Sequence, residues 1–274
     1  MPILPPELID AVIDHLRDDR STLRNCSLAG RNLRPRAQAH LFRDISLENP
    51  SWCAKFYQTT GSSYSIPHVV RSLRLVTFPG QWMKDEPTLP LLLQKTVNLR
   101  HLMMFFVEWE ETPALRNAFR ALDSLDTLTL NNIYFSDSID LFAMLRYWRS
   151  LRHLTLRGIF FKGECSGAGP LPSGPPTQLE TLRILSTQYS DDASRDILNA
   201  FLHPSSPISL TQLKEFQIAP FQQDDVEVLR TVLAASMHSL RHLTIDAFVQ
   251  AHVVGERSFT SDHNTLIERS VIHR

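Results

Sequence analysis

One apolar pattern recurs eight times, and a chain with such a period has to bury each copy against the next. The pattern is apolar-x-x-apolar-x-apolar. It begins at Phe42, Val70, Leu99, Leu125, Leu151, Leu179, Leu213 and Leu240, in steps of 28, 29, 26, 26, 28, 34 and 27 residues. The clearest copies run Leu125 to Leu130, Leu151 to Leu156 and Leu240 to Ile245. The tetrapeptide Leu-Arg-His-Leu recurs unchanged at Leu99, Leu151 and Leu240. The last two apolar positions of each copy alternate with the period of a strand, so every second side chain points to one face.

Helical signals separate the strands. Leu115, Phe119 and Leu122 are spaced for one face of a helix that begins at Pro113. Ile139, Leu141, Phe142 and Leu145 follow Ser136 and Asp137, residues suited to capping. Asp191 and Asp192 open a helix through Ile197, Leu198, Phe201 and Leu202. Asp224 and Asp225 open another through Val228, Leu229, Val232 and Leu233. Acidic residues in a first turn suit the positive end of the helix dipole.

A strand and a helix at this period predict an α/β solenoid of leucine-rich-repeat type, with a parallel sheet on the concave side and helices outside. The alternative is an open doubly wound sheet. That fold does not repeat one strand motif, and it usually carries a glycine-rich first turn, which this chain lacks. The array is irregular. Three residues after the third apolar position the repeat consensus places Asn or Cys. This chain has Phe78, Val107, Ile133, Ile159, Thr187, Phe221 and Phe248, so apolar packing must hold that turn. The stretch 163–176 replaces a helix with Gly, Pro and Ser and reads as a surface loop. The 34-residue step carries an insertion at His203 to Pro207. After Gln250 there is a weak helical signal near Leu266 to Ile272 and no further strand signal.

Composition narrows the function. Lys and Arg number 28 against 29 Asp and Glu, a net charge of -1, which supplies no global field for nucleic acid or an anionic membrane. Cys26, Cys53 and Cys165 are odd in number and far apart, so a reducing compartment is expected. The N-terminus lacks the basic and apolar regions of a signal peptide. No apolar run approaches the roughly 18 residues of a membrane span. The expected location is intracellular, cytoplasm or nucleus.

Residues 1–47 form a different unit, ahead of an array at 48–274. Pro5 and Pro6 preset a helix start. Leu8, Ile9, Val12, Ile13 and Leu16 make a wide apolar stripe beside Glu7, Asp10, Asp14, Asp18 and Asp19. The following segments are basic, with Arg20, Arg24, Arg31, Arg34, Arg36 and Arg43. A unit this short does not build a robust core alone. Phe42 to Leu47 double as the first copy of the repeat, so head and array are expected to be continuous.

The order Leu4-Pro5-x-Glu7-Leu8, Ile9, Ile13-x-x-Leu16, Leu23, Cys26-Ser27-Leu28-Ala29, Leu33 and Leu41-Phe42-Arg43-Asp44-Ile45 resembles an F-box. The match covers about residues 3 to 47. It departs at Asn32-Leu33-Arg34, where the family often has a tryptophan. F-box followed by irregular leucine-rich repeats resembles a class of fungal F-box proteins. The resemblance implies a three-helix head that docks on a Skp-family adaptor, and through it a cullin-based ubiquitin ligase, with the array holding a protein substrate. On that basis Leu4, Pro5, Glu7, Leu8, Ile9, Ile13 and Leu28 are expected to contact the adaptor. Val12, Leu16, Leu23 and Leu33 read as core. The alternative is a repeat scaffold that binds a protein outside any ligase, with the head as its cap.

The outward strand positions form the expected recognition face: Arg74, His101, Met103, Thr127, Thr129, His153, Thr155, Arg157, Arg183, Glu215, Gln217, His242 and Thr244. His101, His153 and His242 occupy equivalent places, but His101 and His153 are two strands apart, ~10 Å, too far to share one ion. Gly163-Glu164-Cys165-Ser166-Gly167 imitates a nucleophile elbow, yet the residues after it cannot form the helix an elbow requires. Trp52, Trp82, Trp109 and Trp148 read as core. No catalytic residue, metal ligand or cofactor is expected.

Overall fold

The computed structural model describes residues 5–62, 65–78, 80–163, 175–185, 193–204, 206–221, 226–249 and 266–273. They form an α/β protein whose strands are mostly parallel and alternate with helices. The chain divides into two compact units, Met1–Asp126 and Thr127–Arg274. The head lies within the first unit, together with the first strands.

That unit opens with α1 (Pro6–His15), α2 (Arg20–Ala29) and α3 (Arg34–Leu41). β1 (Asp44–Leu47), α4 (Pro50–Ser62), α5 (Ile66–Val69), β2 (Ser72–Val76), α6 (Thr88–Lys95), β3 (His101–Phe105) and α7 (Pro113–Arg120) follow. A single 3-10 turn, Trp82–Lys84, precedes α6. β1 pairs with β2 and β2 with β3, all parallel, and Ser46, Arg74 and Met103 sit level with one another. Ile45, Leu47, Leu73, Leu75, Leu102 and Met104 point to the helices. There α6 packs between α4 and α7.

The second unit holds β4 (Thr127–Phe135), α8 (Ser138–Leu145), β5 (His153–Phe161), β6 (Thr177–Gln178), β7 (Thr181–Leu185), α9 (Ala193–Leu202), β8 (Ile208–Ser209), β9 (Glu215–Phe221), α10 (Val226–Ser236), β10 (His242–Val249) and β11 (Leu266–His273). β4, β5, β7, β9 and β10 pair in that order, parallel and in register with the sequence repeat. β6 and β8 form a separate two-residue pair. The stretch Leu266 to Ile272, expected to be helical, is instead β11, antiparallel to β10. Ile267, Val271 and Ile272 are β-branched, which favours strand over helix.

The capping residues act as their chemistry dictates. Asp137 accepts a hydrogen bond from the Asp140 amide at 3.0 Å, and Thr112 accepts one from Leu115 at 3.3 Å. Leu115, Ala118 and Phe119 form the buried face of α7. The Asp191, Asp192, Asp224 and Asp225 caps lie outside the described residues.

One local device recurs in three successive repeats. Phe106, Asn132 and Gly158 have φ of 60°, 55° and 57°. Each stands two residues after the second inward side chain of its strand, after Met104, Leu130 and Leu156. A left-handed residue there shifts the alternation by one. Consequently Val107, Ile133 and Ile159 turn inward and are buried. This is how an apolar residue replaces the consensus Asn. Phe78 does not follow: it is 70% exposed. Thr77 takes the buried site, its hydroxyl hydrogen-bonded to the Phe106 carbonyl.

Candidate functional site

The head closes a small core and leaves apolar residues outside it. Ile13, Leu23 and Ala37 form that core, with Ile9, Leu16, Cys26, Leu33 and Leu41 packed against it. Full burial of Ile13 and Leu23 contributes about 1.5–3 kcal/mol each. Asp19 caps α2, accepting the Ser21 and Thr22 amides at 3.0 Å, and the Thr22 hydrogen bonds hold its carboxyl below the usual range. Asp14 ties α1 to α3 through Arg36 and His40. The Arg36 hydrogen bond, then that of His40, holds the Asp14 carboxyl well below the usual range.

On this frame Leu8 is 53% exposed, Val12 59% and Leu28 79%. Pro5 and Glu7 are exposed and Ile9 is half-buried. Two assignments change. Ile13, expected at the adaptor, is 1% exposed and belongs to the core. Val12, expected in the core, faces out. The stripe of α1 is wider than the surface that α3 covers, and sequence spacing alone does not say which half is covered. Leu4 lies outside the described residues.

The positions expected to form a recognition face lie on the side of each sheet that turns away from the helices. Arg74, His101, Arg157, Arg183 and His242 are exposed there; Met103, Thr127, Thr129, His153, Thr155, Glu215, Gln217 and Thr244 are half-buried. None of the thirteen expected positions is in the core. In the second unit the register aligns Thr127, His153, Thr181, Glu215 and His242 in one row. Thr129, Thr155, Arg183, Gln217 and Thr244 form the next. The His153 ring lies 3.0 Å from the Thr181 hydroxyl, and Arg183 reaches Glu215 at 3.7 Å. Gln217 donates to Asp246 at 3.3 Å. Thr181 and Asp246 were missed as members of this face. The spacing of the repeat puts Thr181 level with His153, and one more outward position past Thr244 reaches Asp246.

The first unit carries an open cleft of about 590 Å³ beside β1, lined among others by Trp52, Lys55, Arg74 and Met103. Trp52, expected in the core, is 48% exposed. The buried face of α4 is Cys53, Phe56 and Thr60, which leaves Trp52 off the stripe. Trp82, Trp109 and Trp148 are buried. The Trp82 indole donates to the Val76 carbonyl at 2.9 Å. Burial pushes the Cys53 thiol up to about 11, so it stays protonated and unreactive at neutral pH. A second hollow, polar and about 500 Å³, contains Arg152, Glu180 and Lys214. Glu180 meets both cations at 2.5 Å, and Lys214 followed by Arg152 holds its carboxyl below the usual range.

Among the described residues no three His, Cys, Asp or Glu side chains are grouped to hold a metal ion. Cys165 and its loop lie outside them. Among the described residues, no helix is long and apolar enough to cross a membrane. Comparison with protein-family models, curated proteins and solved structures finds no match for this chain.

Proposed function

We propose that this chain is the substrate-recognition subunit of a Skp-cullin-F-box type ubiquitin ligase. The head binds a Skp-family adaptor, and the leucine-rich-repeat strands hold a protein substrate on their open face. One observation carries the reading: a three-helix unit with its own closed core leaves Leu8, Val12 and Leu28 uncovered. Leucines left outside a satisfied core suit a partner that receives a helix in a groove. The strand–helix repetition within each unit, with one polar, outward-facing side per sheet, supports the substrate half of the reading.

A second reading has an observation of its own. α3 packs on α5, and the Arg71 and Ser72 amides donate to the Arg43 carbonyl at 2.8 and 3.0 Å. These contacts join the head to the first repeat and suit a head that serves as a cap on a binding scaffold outside any ligase. The two readings separate on adaptor capture. Under the first, a Skp-family protein co-purifies with the full chain and is lost when Leu8 and Leu28 become Asp. Under the second, the folded chain captures none.

A further inference from the structure

Among the described residues, β1 stands at one end of its sheet order and pairs with β2 alone. The Ser72 amide bonds the Arg43 carbonyl. In a parallel ladder, residues of that parity face the neighbour with both backbone groups, and alternate residues look away. Ile45 and Leu47 therefore face β2. Asp44 and Ser46 turn their N–H and C=O groups to the open edge, and the cleft runs past all four residues of β1. Natural proteins usually cover or blunt such an edge.

The walls of the cleft have a chemical bias. One face of α4 supplies Trp52, Lys55 and Phe56; Arg20 comes from α2 and Arg74 from β2. The Lys55 ammonium has no acidic partner among the described residues, and the Arg74 guanidinium lies over the Phe105 ring at 4.5 Å. Among the described residues lining the cleft, three cations thus face one carboxylate, Asp44, while the Glu48 carboxylate accepts the Ser46 hydroxyl at 3.3 Å just past the end of β1. Trp52 and Phe56 add an apolar wall.

We propose that the β1 edge binds an extended acidic segment of a protein partner by strand addition. The segment of about four residues, ~13 Å long, pairs with the Asp44 and Ser46 backbone. Its acidic side chains meet Arg74, Lys55 and Arg20, and its apolar side chains rest on Trp52 and Phe56. This names the substrate class for the recognition half of the proposed function and rests on that half alone, not on the adaptor half.

The test pans a phage-displayed random-peptide library on the purified full chain and measures the enriched peptides by fluorescence polarisation. Enriched peptides are expected to combine Asp or Glu with apolar residues. The pair Lys55→Glu and Arg74→Glu should weaken them by about tenfold or more. Ser46→Pro, which removes one outward N–H at an edge where proline is tolerated, should do the same, and Ser46→Ala should not. Amide exchange at Ser46 should slow when peptide is bound. Leu8→Asp should leave peptide binding intact, which separates this result from adaptor capture. Enriched peptides without acidic residues overturn the proposal. So does binding that survives the charge reversal in a variant whose thermal unfolding matches the parent.

Discussion

Arg36 on α3 grips the Asp14 carboxylate of α1 with both arms of its guanidinium, Nε to Oδ1 at 2.5 Å and a terminal nitrogen to Oδ2 at 2.6 Å. His40 Nε2 adds a third contact to Oδ1 at 2.7 Å. The pair lies at the surface and links the first and third head helices, between which the apolar core is small.

The first prediction concerns acid. Asp14 is held below its unfolded value, so its stabilisation is fully present above the unfolded pKa, about 4. It is lost as pH falls through the native value. The stability difference between the parent chain and Asp14→Asn should be constant from neutral pH down to about 5 and shrink below about 4. Denaturant unfolding followed across that range reads it. A difference that grows toward acid would contradict the assignment.

Neighbouring leucines on α2 should behave oppositely. Leu23 is 1% exposed and Leu28 79%. Leu23→Ala should destabilise the head by about 2–5 kcal/mol. Leu28→Ala should stay within about 0.5 kcal/mol. Chemical denaturation monitored by a head probe distinguishes the two.

Two glycines give changes of opposite sign. Gly158 has φ of 57°, and Gly158→Ala should cost about 1–2 kcal/mol by forcing a side chain into the left-handed region. Gly61 lies in α4 with no heavy atom within 4 Å of an added Cβ. Gly61→Ala should stabilise by up to about 0.5–1 kcal/mol. Thermal unfolding midpoints moving in the same direction would refute the role given to the left-handed step.

Glu180 bridges Arg152 and Lys214, whose side chains are 62% and 44% exposed. Solvent screens such contacts, so Glu180→Gln should cost less than about 1 kcal/mol. The cost should diminish as salt rises toward 1 M, where the screening length falls to about 3 Å. A salt-independent loss would mean that the carboxylate does more than pair with these cations.

The repeat strands and their order within each unit were legible because the period of the apolar pattern is the period of the sheet, whereas β6, β8 and β11 carry no copy of the pattern. Leu128, Leu154 and Leu182 stand level across three strands, as the repeat requires. The burial of Val107, Ile133 and Ile159 was legible too, though not its cause. A left-handed residue flips the strand's alternation, and nothing marks Phe106 as one by residue type. Val12 and Ile13 are adjacent on a stripe that spans more than one face, so their fates depend on where α3 lies. Trp52 illustrates the same limit: its hydrophobicity said core, while the placement of Cys53, Phe56 and Thr60 turned it out. The β1 cleft joins residues from α2, α4 and three strands, a proximity created only by folding.

Binding of a purified Skp-family adaptor to the full chain, measured by calorimetry, tests the account most directly. The account predicts a stable complex, weakened by about a hundredfold or more when Leu8 and Leu28 are both changed to Asp. The unfolding midpoint should stay near that of the parent, because both leucines are exposed. No binding by the folded parent chain, or equal binding by the doubly substituted one, would contradict it.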